Sequence, residues 1–166
     1  GQAPPDDVPG LLTRGNLDRF PAGVPAWEVD DVAALPLPDY DEFAAAADPL
    51  SVEWRIWLQT ARGCWWDRSG STGDPKRRCL FCNMNERRRY QAKPARQVAA
   101  EVAALVARHA NPRVVLSDLC MRPTGLAELG RRLAAPGRQL HLQIELRAGA
   151  RPRDVLALWE AGLAVA

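Results

Sequence analysis

Hydrophobic and polar residues change rhythm along this chain, and the changes mark out alternating strands and helices. Val52, Trp54, Ile56 and Leu58 alternate with Glu53, Arg55, Trp57 and Gln59, a period of two that predicts a strand. After Pro94, Val98, Val102, Leu105 and Val106 recur at helical spacing, and Asn111-Pro112 stops that helix. Val114-Val115-Leu116 is a short apolar strand. Pro123 stands where the next helix begins, with Leu126, Leu129 and Leu133 as its apolar stripe. From Gln139 to Leu146 the alternation returns, with Leu140, Leu142, Ile144 and Leu146 on one face and Gln139, His141, Gln143 and Glu145 on the other. Pro152 and Asp154 open a last helix, in which Val155, Leu158, Trp159 and Leu163 are expected to face inward. Residues 161–166, Ala-Gly-Leu-Ala-Val-Ala, read as the start of a fourth strand.

Repeated strand–helix units predict an α/β fold with a parallel sheet wound right-handed. A unit of a (β/α) barrel takes about 30 residues. Residues 52–166 therefore supply three to four units, and the expected architecture is a truncated, partial parallel (β/α) barrel, part of a larger sheet or barrel. The strand over 139–146 is apolar on one face only, whereas a strand covered on both sides is apolar on both. Its polar face either lines a wet cavity or meets solvent. Residues 1–51 have another texture. Half of the chain's prolines fall within residues 1–40, in runs such as Ala-Pro-Pro and Leu-Pro-Leu-Pro-Asp-Tyr. Such spacing forbids long helices and interior strands. The stretch reads as a Pro-rich acidic arm with one short helix near Asp41–Ala47, leaving 52–166 as the folded domain.

Composition alters this picture little: 47% hydrophobic and 25% charged residues over a length of 166 are ordinary for a globular chain and exclude collagen-like or wholly disordered classes. No run of eighteen apolar residues exists to span a membrane. The first residues carry neither the basic start nor the apolar run of a signal peptide, so a cytoplasmic location is expected. Charge matters more, because the net +2 conceals segregation: residues 1–53 hold eleven acids and two bases, and residues 62–96 hold ten bases and three acids. The runs Arg77-Arg78 and Arg87-Arg88-Arg89 are either a solvated loop face or a means of attracting an acidic peptide. The acidic N-terminal third speaks against nucleic acid as a partner.

The strongest chemical signal is Cys64, fourteen residues, Cys79, two residues, Cys82. Cys79-Leu80-Phe81-Cys82 is a tight chelating turn, and Cys64 directly follows a predicted strand, where a parallel sheet presents its active residues. Three soft thiolates suit zinc or an iron–sulfur cluster. In the alternative reading they form, with Cys120, a structural zinc site in a non-catalytic module that uses its Arg-rich loop on an acidic or nucleic-acid partner.

Arg62-Gly63-Cys64-Trp65-Trp66 followed by Cys79-Leu80-Phe81-Cys82-Asn83-Met84-Asn85 resembles the radical S-adenosylmethionine (SAM) superfamily. Within it, the chain is most similar to cobalamin-dependent C-methyltransferases that mature ribosomally made peptides. The stretch Leu-Pro-Leu-Pro-Asp-Tyr-Asp-Glu-Phe, Lys93-Pro94, and Leu158-Trp159-Glu160-Ala161-Gly162 match that group as well. The resemblance implies that Cys64, Cys79 and Cys82 hold a 4Fe–4S cluster whose open iron takes the amino and carboxylate groups of SAM. It implies reductive cleavage to a 5′-deoxyadenosyl radical, hydrogen abstraction from a peptide carbon, and methyl transfer from cobalamin in the full-length parent. A precursor peptide and an electron-donor protein are the implied partners. By the same resemblance Phe81 lies near adenine and Asp118 meets the SAM amino group, while Glu145, on the polar face of the strand over 139–146 and toward its C-terminal end, is the cavity-facing candidate to contact SAM or substrate. Two features depart from the family: the first cysteine spacing is much longer, through an insertion between Asp67 and Arg78, and the cobalamin domain and later barrel strands are missing from this sequence.

Overall fold

The computed structural model describes residues 11–20, 29, 31–81, 90–118, 124–135 and 139–165. The chain divides into two compact units, Gly1–Asp30 and Asp31–Ala166. In the first, Asn16 organises a turn: its side chain accepts from the Thr13 N–H and donates to the Leu11 carbonyl, and a single 3-10 turn, Leu17–Arg19, follows.

The second unit holds the sheet. Its strands are β1 (Ile56–Leu58), β4 (Arg113–Leu116), β5 (His141–Ile144) and β6 (Leu163–Val165), in the order β1-β4-β5-β6 and parallel throughout. The connecting helices are α3 (Ala95–His109), α4 (Leu126–Ala134) and α5 (Pro152–Glu160). A short helix α1 (Asp41–Ala47) precedes β1, one-turn helix α2 (Ser69–Thr72) follows it, and a two-stranded antiparallel ribbon joins β2 (Ala61–Arg62) to β3 (Gln91–Ala92). Strand order equals chain order, so every right-handed crossover returns on the same side. The helices consequently stack as neighbours, α3 on α4 and α4 on α5.

One core fills the space between them. Ile56, Leu58, Val114, Leu116, Leu142 and Ile144 project from the sheet onto Val98, Val102, Leu105, Leu126, Leu129, Leu133 and Leu158 of the helices. The alternate residues face the other way: Trp57 is 56% exposed, and His141 and Glu145 are exposed. This accounts for the one-sided pattern of β5. The fold is therefore mixed α/β with a four-stranded parallel sheet covered by helices on one face.

Two positions demand glycine because backbones nearly touch there. A Cβ on Gly130 of α4 would lie 2.4 Å from the Ala157 carbonyl of α5, and one on Gly162 would lie 1.9 Å from the Leu140 oxygen. Gly162 also has φ +98°, the left-handed region that suits glycine. The outer edge of β1 is closed by a side chain. The Tyr40 hydroxyl donates to the Trp57 carbonyl at 2.6 Å and accepts from the Trp57 N–H at 3.0 Å.

The expected elements are found, with adjustments. Asp41–Ala47 is helical, and Asp39 accepts from the Asp41 N–H at its start. Residues 31–51 belong to the sheet unit, with Ala47 in its core and Tyr40 and Ala44 packed against it. α4 begins at Leu126 after Gly125, while Pro123 lies outside the described residues. α5 turns differently from its expected face: Leu158 is buried, but Val155 and Trp159 are exposed, Trp159 by 69%. Asp154, Ala157 and Leu158 face inward instead, and the α5 backbone at Ala157 and Leu158 lies directly against Gly130 of α4. Leu163 is buried as part of β6, not of the helix.

Candidate functional site

The chain leaves β1 through Gln59 and Thr60 and reaches Cys64 within six residues of Leu58. Three features fix that exit. The carboxylate of Asp118, just past the end of β4, accepts from the Thr60 N–H at 2.9 Å, the Ala61 N–H at 2.6 Å and the Thr60 hydroxyl. Asp118 is buried, and burial raises its pKa against the opposing pull of these bonds and of Lys93. Lys93 in turn is buried and paired with Glu101 at 2.7 Å, while its N–H donates to the Thr60 carbonyl at 2.8 Å. The β2–β3 ribbon then aligns Ala61 with Ala92 and Arg62 with Gln91. The segment between Gly63 and Tyr90 thus starts and ends on one pinned base. Gly63 has φ +83° and is buried, so the turn into Cys64 uses a conformation that suits glycine.

The long spacing between Cys64 and Cys79 is closed by Asp67. One carboxylate oxygen accepts from the Ser69 N–H at 3.0 Å and the Ser69 hydroxyl at 2.6 Å, and the other accepts from the Cys79 N–H at 3.1 Å. The Arg68 N–H donates to the Arg77 carbonyl at 3.3 Å, directly above. These bonds, led by the Ser69 hydroxyl, hold the Asp67 carboxyl below its ordinary pKa, and Arg78 adds to the effect. Residues 68–78 leave and return at the same point, so only Trp65, Trp66 and Asp67 separate the two cysteines along the short path. A fully extended chain of the same length would part them by about 50 Å.

Arg147, three residues past β5, anchors this segment at the carboxyl end of the sheet. Its guanidinium lies 3.3 Å from the centroid of the Trp66 ring, a cation–π contact that ties the segment after β1 to the segment after β5, two places along the sheet. Arg68 covers Trp65 at 5.6 Å.

Cys64 and Cys79 are half-buried free thiols. Cys82 and Cys120 lie outside the described residues, as do Arg87, Arg88 and Arg89. Among the described residues no three His, Cys, Asp or Glu side chains gather as a metal site. The two described thiols, Cys64 and Cys79, are partly accessible and lie on the same loop, so thiolate ligation of a soft metal group is chemically open to them. Phe81 is 96% exposed. Glu145 is exposed beyond the end of β5. Asp118 is turned to Thr60 and Ala61, with both carboxylate oxygens engaged. Asp67 and Arg147 were not singled out from sequence, although Asp67-Arg68-Ser69 has the spacing of an Asx turn.

No protein-family model, characterised protein sequence or solved structure matches this chain. No helix among the described residues is long and apolar enough to cross a membrane.

Proposed function

We propose that this chain is the cluster-bearing part of a radical SAM enzyme that modifies a peptide, with Cys64, Cys79 and Cys82 as ligands of a 4Fe–4S cluster. The observation that carries this reading is the Asp67 closure, which reduces a fourteen-residue separation to a three-residue path. When bound, the cluster supplies the electron that cleaves SAM to a 5′-deoxyadenosyl radical, and methylcobalamin in the parent enzyme supplies the methyl group.

The chain's own residues position and shield. Asp118 holds Thr60 and Ala61, and through them the turn that presents Cys64; we assign it a positioning role in place of a direct contact with SAM. Glu145 is the exposed carboxylate at the same end of the sheet and is free to meet the SAM amino group or the substrate. Trp65 and Trp66, backed by Arg68 and Arg147, limit water at the cysteine loop. Phe81, beside the last ligand, offers an apolar face to adenine.

The test is anaerobic reconstitution with iron and sulfide, followed by metal and acid-labile sulfide analysis. The wild type is expected to bind about four of each per chain. Cys64→Ser should lose the cluster, and Asp67→Ala should retain less than half of it. Stoichiometric zinc without sulfide in aerobically purified protein would overturn the proposal in favour of the zinc module.

A further inference from the structure

The excursion that Asp67 closes has a surface of its own. Residues 68–78 contain Arg68, Lys76, Arg77 and Arg78 against a single acid, Asp74, a local charge of +3 over eleven residues. All four bases are exposed. The excursion keeps its shape largely by internal bonds. Asp74 caps the 3-10 turn Pro75–Arg77 by accepting from the Lys76 N–H at 3.0 Å, and Gly73 ends α2 at φ +68°. Arg77 meets Asp74 at 3.6 Å, and among the described residues neither Lys76 nor Arg78 has an ion pair within 4 Å. The capped turn thus carries Lys76, Arg77 and Arg78 in succession, ending one residue before Cys79.

We infer that this excursion is a docking element for an acidic stretch of polypeptide, brought up beside Cys64 and Cys79. Three cations within one turn concentrate positive charge, so an acidic segment crossing it meets all three within a screening length. Single-stranded nucleic acid is the poorer fit, because residues 1–53 of the same chain hold eleven acids and two bases and would repel a continuous phosphate backbone, and because the ring stack of such a site is largely spoken for. Here Trp66 already carries Arg147 at 3.3 Å and Trp65 carries Arg68. The inference rests on the proposed function only in calling the docked polypeptide a substrate; the binding itself needs no cluster.

The experiment is fluorescence anisotropy on the full chain, before and after cluster reconstitution, in 50 mM salt. The probes are a labelled ten-residue polyglutamate, a neutral Gly-Ser peptide of equal length and a ten-nucleotide oligouridylate. Polyglutamate should bind in both states, and the Gly-Ser peptide should not. The triple variant Lys76→Ser, Arg77→Ser, Arg78→Ser should weaken binding about tenfold, equivalent to about 1.4 kcal/mol. Removing the same charge elsewhere, with Arg96→Ser, Arg131→Ser and Arg153→Ser, should change it less than about twofold, because screening in 50 mM salt confines each charge's effect to about 14 Å. Asp74→Asn keeps the cap acceptor, removes the one negative charge, and should tighten binding about twofold to threefold. Equal losses in the two triple variants, tighter binding of oligouridylate than of polyglutamate, or no polyglutamate binding would each overturn the inference. Binding without any cluster after reconstitution would count against the proposed function and leave the docking element standing.

Discussion

Replacing Asp118 separates its role as an acceptor from its role as a charge. In Asp118→Ala, two backbone N–H groups and one hydroxyl lose their partner, at Thr60 and Ala61, which are only 4% and 3% exposed. A buried donor left unsatisfied costs about 1–3 kcal/mol. Three such donors are offset in part by rotation of the hydroxyl and by relief of the carboxylate's own desolvation, so a net loss of about 2–4 kcal/mol is expected. In Asp118→Asn the amide oxygen still serves both N–H groups, and its NH₂ donates to the Thr60 oxygen. That variant should lose about 1 kcal/mol or less. Urea unfolding at pH 7, followed by far-UV circular dichroism, reads both values. The gap between the variants carries the argument. If alanine and asparagine cost the same within about 0.5 kcal/mol, Asp118 does not hold the β1 exit in the way described.

The same site gives a pH prediction. Burial raises the Asp118 pKa, so the folded state takes up a proton before the unfolded state does. Stability relative to Asp118→Asn should therefore rise as pH falls from neutrality toward about 4, the unfolded value. Asp154 has the opposite sign, since its bonds to Arg151 and to the Ala127 backbone lower its pKa. Its contribution should persist above about pH 4 and fade below that, measured against Asp154→Asn. Gly130→Ala should destabilise by about 2 kcal/mol or more, because its methyl meets the Ala157 backbone at 2.4 Å and overpacking outweighs the gain in helix propensity. Gly149→Ala, with nothing within 4 Å, is the neutral control in the same urea series. Tyr40→Phe should cost about 1 kcal/mol and speed amide exchange at Trp57, whose N–H and carbonyl both meet the hydroxyl.

Much of the sheet unit was legible because its core is built from clean periods. Val98, Val102, Leu105 and Val106 gave the buried face of α3, and Leu140, Leu142 and Ile144 gave that of β5. α5 misled because Val155 and Trp159 are apolar yet exposed, while Asp154 is charged yet fully buried through Arg151 and the α4 backbone. Hydrophobicity alone cannot reveal a carboxylate that caps a neighbouring helix. The β2–β3 ribbon escaped notice for another reason: two residues on each side are too few to show a period, and they lie 29 positions apart. The cysteines were conspicuous in the sequence. What shortens the path from Cys64 to Cys79, a single Asp oxygen on a backbone N–H twelve residues away, was not.

That closure at Asp67 also uncouples length from chemistry. Because Ser69 is bonded to Asp67 and Arg68 to Arg77, the stretch between Ser69 and Arg77 can change in number and make-up while the closure at its base stays in place. Loop closure entropy grows only slowly with added residues. The tip around Gly73 is thus a natural graft point, where a fluorophore, an affinity tag or a whole inserted domain would report on the neighbouring cysteines from outside the fold.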